Sequence, residues 1–245
     1  MNMLDKAISP YKMSFYVPSA PTIVLLHGGP GVGKTTAGRY AAEYTRRPLL
    51  SISSADIVKD DGNAEETLKR ILDRAERWKA ILLLENVELM FSEISAEISH
   101  RDLNLVLVIR ALEAHRGLVF LTTQRIGRID TNVLSRITVP IEFPELDTEV
   151  KLKILEDLVK NSDLETYMDE DDVTDWHEHD IDTKLNGWNI KNAFNAALNF
   201  YSNSKSSFGA HLRLSIKSQI ELKDYLIDTI GTDEGKQASP HRYRR

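Results

Sequence analysis

Short apolar runs recur through the first 145 residues, and the stretches between them carry apolar positions at helical spacing. Thr22 to His27 is apolar almost throughout and runs into a pair of glycines. A run of that length, closed by a turn signal, predicts a strand buried on both faces of a parallel sheet. Leu49 to Ser53, Ala80 to Leu84, Leu118 to Thr122 and Ile137 to Ile141 predict four more strands. Between them, Lys34 to Thr45 is rich in helix formers and is stopped by Arg46, Arg47 and Pro48. Asn63 to Trp78 puts Leu68, Ile71, Leu72 and Ala75 on one helical face, and Asp102 to His115 reads as a further helix. Strands alternating with helices predict a three-layer α/β sandwich around a five-stranded parallel sheet, with right-handed crossovers and ligands at the C-terminal strand ends.

The pattern changes after Pro144. Glu149 to Lys160 and Ile190 to Tyr201 read as helices, while Asp163 to Asp182 between them holds ten acidic residues and no Lys or Arg. The expected division is an N-terminal extension over 1–21, an α/β core over 22–145, a helical lid over 146–235 with an acidic insertion at 163–182, and a tail at 236–245.

Composition narrows the chemistry. The net charge of −6 gives no general attraction to nucleic acid or to anionic membranes, so neither is an expected partner. There is no cysteine, which excludes disulfides, thiol catalysis and cysteine-held zinc or iron–sulfur sites. Residues 1–21 lack the continuous apolar stretch of a signal peptide, and no run approaches the length of a membrane helix. An intracellular chain, cytosolic or nuclear, or a fragment of a longer one, is expected. His177 and His179 lie in the acidic insertion with no third ligand at recognisable spacing, and Arg242 to Arg245 is too short a basic tail to argue for nucleic acid.

The most specific signal is Gly28 through Thr35, GGPGVGKT, which fits G-x-x-x-x-G-K-[ST] and stands between a strand and a helix. Gly28, Gly29, Pro30, Gly31, Val32 and Gly33 form a turn whose backbone N–H groups can cradle phosphates. Lys34 reaches the β and γ phosphates, the Thr35 hydroxyl ligates Mg²⁺, and Thr36 completes the site at the helix start. ATP with Mg²⁺ is the expected ligand.

From Ile23 to about Leu155 the chain resembles the AAA+ ATPases, in particular the AAA-domain proteins of filamentous fungi. The resemblance rests on the phosphate loop, on Ala75 to Leu84 (AERWKAILLL), on Gly117 to Arg125 (GLVFLTTQR), on Ser135 to Ile137, and on Leu185 to Asn192 (LNGWNIKN) in the lid. It implies an AAA+ core with a helical lid, ATP at their seam, and neighbouring subunits closing the site in a homo- or hetero-oligomeric ring that acts on a protein substrate. It also implies catalytic positions at which this sequence departs from the family. An Asp-Glu pair is expected after the third strand, and the chain has Glu85 and Asn86. Glu85 keeps a metal role beside Thr35 at the expense of one extra methylene, whereas an amide at Asn86 accepts no proton at neutral pH. Glu88 is a candidate replacement base. Gln124 stands where an Asn is usual at the end of the fourth strand and can still orient water. Trp188 replaces the lid arginine that senses the γ phosphate. Arg136 occupies the place of the arginine finger that reaches a neighbour's nucleotide, although an arginine at a strand start is commonly a surface ion pair.

Three readings stay open: an oligomeric ATP-binding protein whose slow or conditional hydrolysis moves the lid, a pseudo-ATPase that holds ATP without turnover, and a P-loop small-molecule kinase.

Overall fold

The computed structural model describes residues 22–58, 64–91, 98–162, 185–201 and 207–230. The 1–21 extension, the 163–182 acidic insertion with His177 and His179, and the 236–245 tail lie outside these residues. The described elements run β1 (Thr22–Gly28), α1 (Lys34–Thr45), β2 (Leu49–Ser53), α2 (Ser54–Val58), α3 (Ala64–Trp78), β3 (Ile81–Glu85), α4 (Ile98–Ala114), β4 (Leu118–Thr123), α5 (Thr131–Leu134), β5 (Val139–Phe143), α6 (Thr148–Lys160), α7 (Gly187–Tyr201) and α8 (Phe208–Ile230). Two 3₁₀ turns, Val87–Leu89 and Ile126–Arg128, follow β3 and β4.

The sheet is five-stranded and parallel in the order β2-β3-β4-β1-β5, which places β1 between β4 and β5. The apolar runs are continuous because strand side chains alternate between two covered faces. Ile23, Leu25, Leu82, Leu84, Val119 and Leu121 face one core with Leu68, Leu72 and Ala75 of α3 and Val108, Ile109 and Leu112 of α4. Val24, Leu26, Ile81, Leu83, Leu118 and Phe120 face the other, against Ala37, Ala41 and Ala42 of α1. The three-layer α/β sandwich predicted from the alternation is therefore present. A large apolar side chain such as Phe91 or Phe120, fully buried here, stabilises the fold by about 1.5–3 kcal/mol.

Several boundaries differ from the pattern-based expectation: α4 begins at Ile98, not Asp102, α7 begins at Gly187, not Ile190, and β3 is shifted by one residue. The fifth strand runs over Val139–Phe143, not Ile137 to Ile141. Ile137 packs on the first core, and Thr138 meets β1 ahead of the ladder: its N–H donates to the Ile23 carbonyl at 2.8 Å and its hydroxyl accepts from the Ile23 N–H at 3.1 Å. The 23-residue helix α8 falls within the expected helical lid, but the pattern does not mark it as a separate helix.

Contacts divide the chain into two compact units at Phe143/Pro144, with residues 30–32 counted to the second. The second unit has its own core, in which Leu155 and Val159 of α6, Ile190, Phe194 and Ala197 of α7, and Phe208, Leu212 and Ile216 of α8 converge. Phe208 meets Phe194 and Tyr201 edge-on, at centroid distances of 5.6 and 5.8 Å. Asn186 and Asn189 cap α7 reciprocally, each side-chain oxygen accepting from the other's backbone N–H at 3.0–3.1 Å.

Candidate nucleotide site

The site is built at the C-terminal ends of β1 and β3. β1 stops at Gly28, whose φ of 146° and close approach to β5 both require glycine. A Cβ there would lie 2.1 Å from the Phe143 carbonyl oxygen. Gly33, at φ 100°, takes the left-handed turn that launches α1; a Cβ would meet nothing within 4 Å, so the requirement there is purely conformational. Within the second unit, Gly31 approaches the start of α7. Its carbonyl accepts from the Gly187 N–H at 3.0 Å, and a Cβ on it would lie 2.7 Å from Asn186 Cγ and 3.0 Å from Trp188 Cδ1. Trp188 itself is 62% exposed. Val32 is buried, while Pro30 and Thr36 are exposed and Gly29 is half-buried.

Lys34, the first residue of α1, is only 7% exposed. Its ammonium donates to the Gly28 carbonyl at 2.9 Å and to the Gly29 carbonyl. Burial holds its pKa below the usual lysine value, and the carboxylate of Glu88 partly offsets that effect. His27, paired in register with Glu142 of β5, is likewise lowered by burial. Glu142 opposes that shift and the Lys34 charge adds to it. Cationic field is therefore concentrated at the loop on Lys34, with the imidazole favoured neutral.

Thr35 and Glu85 come together as the sequence suggested. The Thr35 hydroxyl donates to Glu85 Oε2 at 2.8 Å, and the Ser51 hydroxyl donates to Glu85 Oε1 at 2.6 Å. Ser51 was missed by sequence reasoning. Its signal is the alternation of Ser51 and Ser53 in a strand that pairs directly with β3, where Ser53 is in register with Glu85. The two hydroxyls hold both oxygens of Glu85.

Asn86 leaves β3 in the left-handed region, at φ 56° and ψ 49°. Its N–H donates to the Thr122 hydroxyl at 3.3 Å, its carbonyl accepts from the buried Ser54 hydroxyl, and its side chain is exposed. Asparagine is among the few non-glycine residues that tolerate this conformation, so the residue has a conformational reason to be there. Val87 then enters the core; the Glu88 charge raises the pKa of Lys34 against the larger effect of burial, and Glu88 Oε2 is buried without a hydrogen-bond partner.

Gln124 is exposed immediately after β4. Arg136 is held in its own chain: Nε donates to Glu113 Oε1 at 3.0 Å, and Nη1 donates to the Asn132 carbonyl at 3.0 Å and to Ser135 Oγ at 2.7 Å. With side chains 42% and 46% exposed, the ion pair with Glu113 is worth under about 1 kcal/mol and restrains Arg136 only weakly. Among the described residues, no three His, Asp or Glu side chains gather as a metal-holding cluster, and no helix is long and apolar enough to cross a membrane.

A parallel sheet with a glycine loop between an interior strand, β1, and the following helix, a buried lysine at the helix start, and a hydroxyl set against an acid at the end of β3 define a P-loop nucleotide-binding domain. Residues 24–145, about half of the chain, match the ATPase family associated with various cellular activities (AAA), and the chain belongs to that family. Relatives include the 26S proteasome regulatory subunit 8 homolog of Encephalitozoon cuniculi, 29% identical over 60% of this chain and 42% of that protein. Another is the mouse peroxisomal ATPase PEX6, 33% identical over 55% of this chain and 15% of that protein. The chain spans less than half the length of the curated relatives it matches. The crystal structure of the FIGL-1 AAA domain in complex with ADP superposes with a TM-score of 0.67 at 16% identity, covering 93% of this chain and 86% of that one, and establishes the shared fold. These matches do not single out the proteins of filamentous fungi.

Proposed function

We propose that the chain binds ATP with Mg²⁺ at residues 28–36 and works inside the cell as a subunit of an AAA-type oligomer that acts on an unidentified protein substrate, with slow or conditional hydrolysis driving movement of its helical lid. The observation that carries the reading is the pairing of a buried Lys34 at the glycine loop with the Thr35–Glu85 contact. The donor set fits the metal. Both groups are hard oxygen ligands, and their 2.8 Å separation is close to the roughly 2.9 Å between adjacent ligands of an octahedral Mg²⁺. Thr35 and Glu85 would hold the ion together with phosphate and water oxygens. When bound, it would neutralise charge on the β and γ phosphates.

Assembly is supported by kinship with proteins named as proteasome regulatory subunits, and by Arg136, whose weak surface pairing leaves it able to reach a neighbouring nucleotide. The alternative, a pseudo-ATPase that uses ATP as a structural ligand, is favoured by the amide at Asn86. The test is ATP binding with and without Mg²⁺, followed by calorimetry and by thermal shift, beside phosphate release and particle size at high protein concentration. Saturation at a hundred times the dissociation constant raises stability by about 2.7 kcal/mol. Binding that ignores Mg²⁺ and survives Lys34→Ala would reject the site, and a particle that stays monomeric with saturating ATP would reject the oligomer.

A further inference from the structure

Hydrolysis at Lys34 and Thr35, the reading on which this step rests, requires a group that takes a proton from the attacking water. Two carboxylates belong to the β3 end of the site, and they are occupied very differently. Glu85 accepts a hydrogen bond on each oxygen, from Thr35 and from Ser51. Glu88 has an oxygen shut away from solvent with no hydrogen-bond partner. Such an oxygen costs about 1–3 kcal/mol or more to bury, and in native proteins it is accounted for by strain, by an ordered water or ion, or by a catalytic role.

Three features aim and fix Glu88. Asn86 reverses the chain in the left-handed region, with its N–H bound to Thr122 and its carbonyl to Ser54. Val87, wholly buried, anchors the first step of the 3₁₀ turn. Glu88 then lies close enough to Lys34 for its charge to act on the ammonium. The exposed amide of Asn86, by contrast, has no group basic enough to take a proton at neutral pH.

We propose that Glu88 is the general base of this site, placed by the Asn86 turn two residues beyond the position where the sequence carries an amide. Its carboxylate removes a proton from a water molecule while the water oxygen bonds to the γ phosphorus. The bond from that phosphorus to the oxygen bridging to ADP breaks, and its electron pair leaves on ADP. The proton passes from Glu88 to the released phosphate. Glu85, with both oxygens engaged, stays with Thr35.

The experiment uses the full chain and compares wild type, Glu88→Gln, Glu88→Asp and Lys34→Ala, reading phosphate release at saturating ATP and Mg²⁺ and, separately, the Kd for ATP. Removal of a general base predicts a fall in kcat of about 10²-fold or more in Glu88→Gln, with Kd within about threefold of wild type and an intermediate kcat in Glu88→Asp. The acid limb of the wild-type kcat–pH profile disappears in Glu88→Gln, an outcome a purely structural carboxylate would not produce. A Glu88→Gln variant that keeps its kcat, or that loses affinity by the same factor as kcat, overturns the assignment. So does a wild type that binds ATP tightly and releases no phosphate, which leaves the nucleotide site itself standing. A wild type that binds no ATP overturns that site reading and the base together.

Discussion

The two sides of the β3 tip answer different constraints. On the Glu85 side Thr35 and Ser51 hold the two carboxylate oxygens, and the residue ends a strand with ordinary geometry. One residue further on, Asn86 takes a left-handed conformation, its side chain faces solvent, and two residues later a carboxylate oxygen is buried with nothing to bind it. On the first side two hydroxyls hold the acid in place for the metal role proposed above. On the second, a Glu88 oxygen is left without a partner, the observation on which its proposed role as base rests.

The largest expected effect comes from removing the buried ammonium at the glycine loop. Lys34→Ala deletes a buried charge beside the phosphates and should weaken ATP binding by about 2–5 kcal/mol, read by calorimetry. Binding changed by less than about 1 kcal/mol would mean that the nucleotide does not sit on this loop.

How much of this was legible in the sequence follows from what each feature depends on. Strands buried on both faces leave a continuous apolar run, so Val24 to Leu26 and Leu82 to Leu84 declared themselves, and the glycines and Lys34 carry chemistry in their spacing. Helix α8 did not, because Leu214, Leu222 and Leu226 are exposed among its apolar positions and blur the stripe that Leu212 and Ile216 would otherwise draw. At the site, Thr35 and Glu85 could be paired in advance, but Ser51 depends on the β2–β3 register. The direction of Glu88 depends on a single left-handed residue that no periodicity reveals.

Next in size is Gly28→Ala. The added Cβ would lie 2.1 Å from the Phe143 carbonyl oxygen, which belongs to β5 and cannot move without breaking the ladder. A loss of about 3 kcal/mol in urea unfolding is expected, of the order seen for overpacking a rigid site, together with displaced Lys34 contacts. Gly33→Ala has free space around its Cβ and should cost only the strain of φ 100°, about 1 kcal/mol. Equal losses in the two variants would contradict the close approach to β5.

Asn86→Glu sharpens the contrast within the turn itself. It restores an acid directly after Glu85 but forces a residue poorly suited to the left-handed region, at a cost of about 1 kcal/mol, while Asn86→Gly should be close to neutral. If Glu88 is the base, Asn86→Glu raises turnover little. A large gain in phosphate release would instead place the missing proton acceptor at position 86.

The smallest effect tests whether a buried, unpartnered group away from the loop is merely a stability cost. His115, 3% exposed between α4 and β4, has neither ring nitrogen hydrogen-bonded, and it packs so tightly on Gly117 that a Cβ there would lie 2.3 Å from Nε2. Burial lowers its pKa below the ordinary value of 6.5, against the opposing pull of Glu76 and Asp73 on α3. With the folded pKa depressed, the unfolded chain binds more protons as pH falls below 6.5, so the stabilisation present above that pH is lost on passing down through the folded pKa. Thermal unfolding followed from pH 7.5 to pH 5 should therefore show a decline that is shallower in His115→Gln, while ATP affinity at pH 7.5 is the same in both proteins. His27 shifts in the same direction and contributes to both slopes, so the difference between them belongs to His115. Identical slopes would mean that His115 gains a partner on protonation, and a change in ATP affinity would make its burial part of the site.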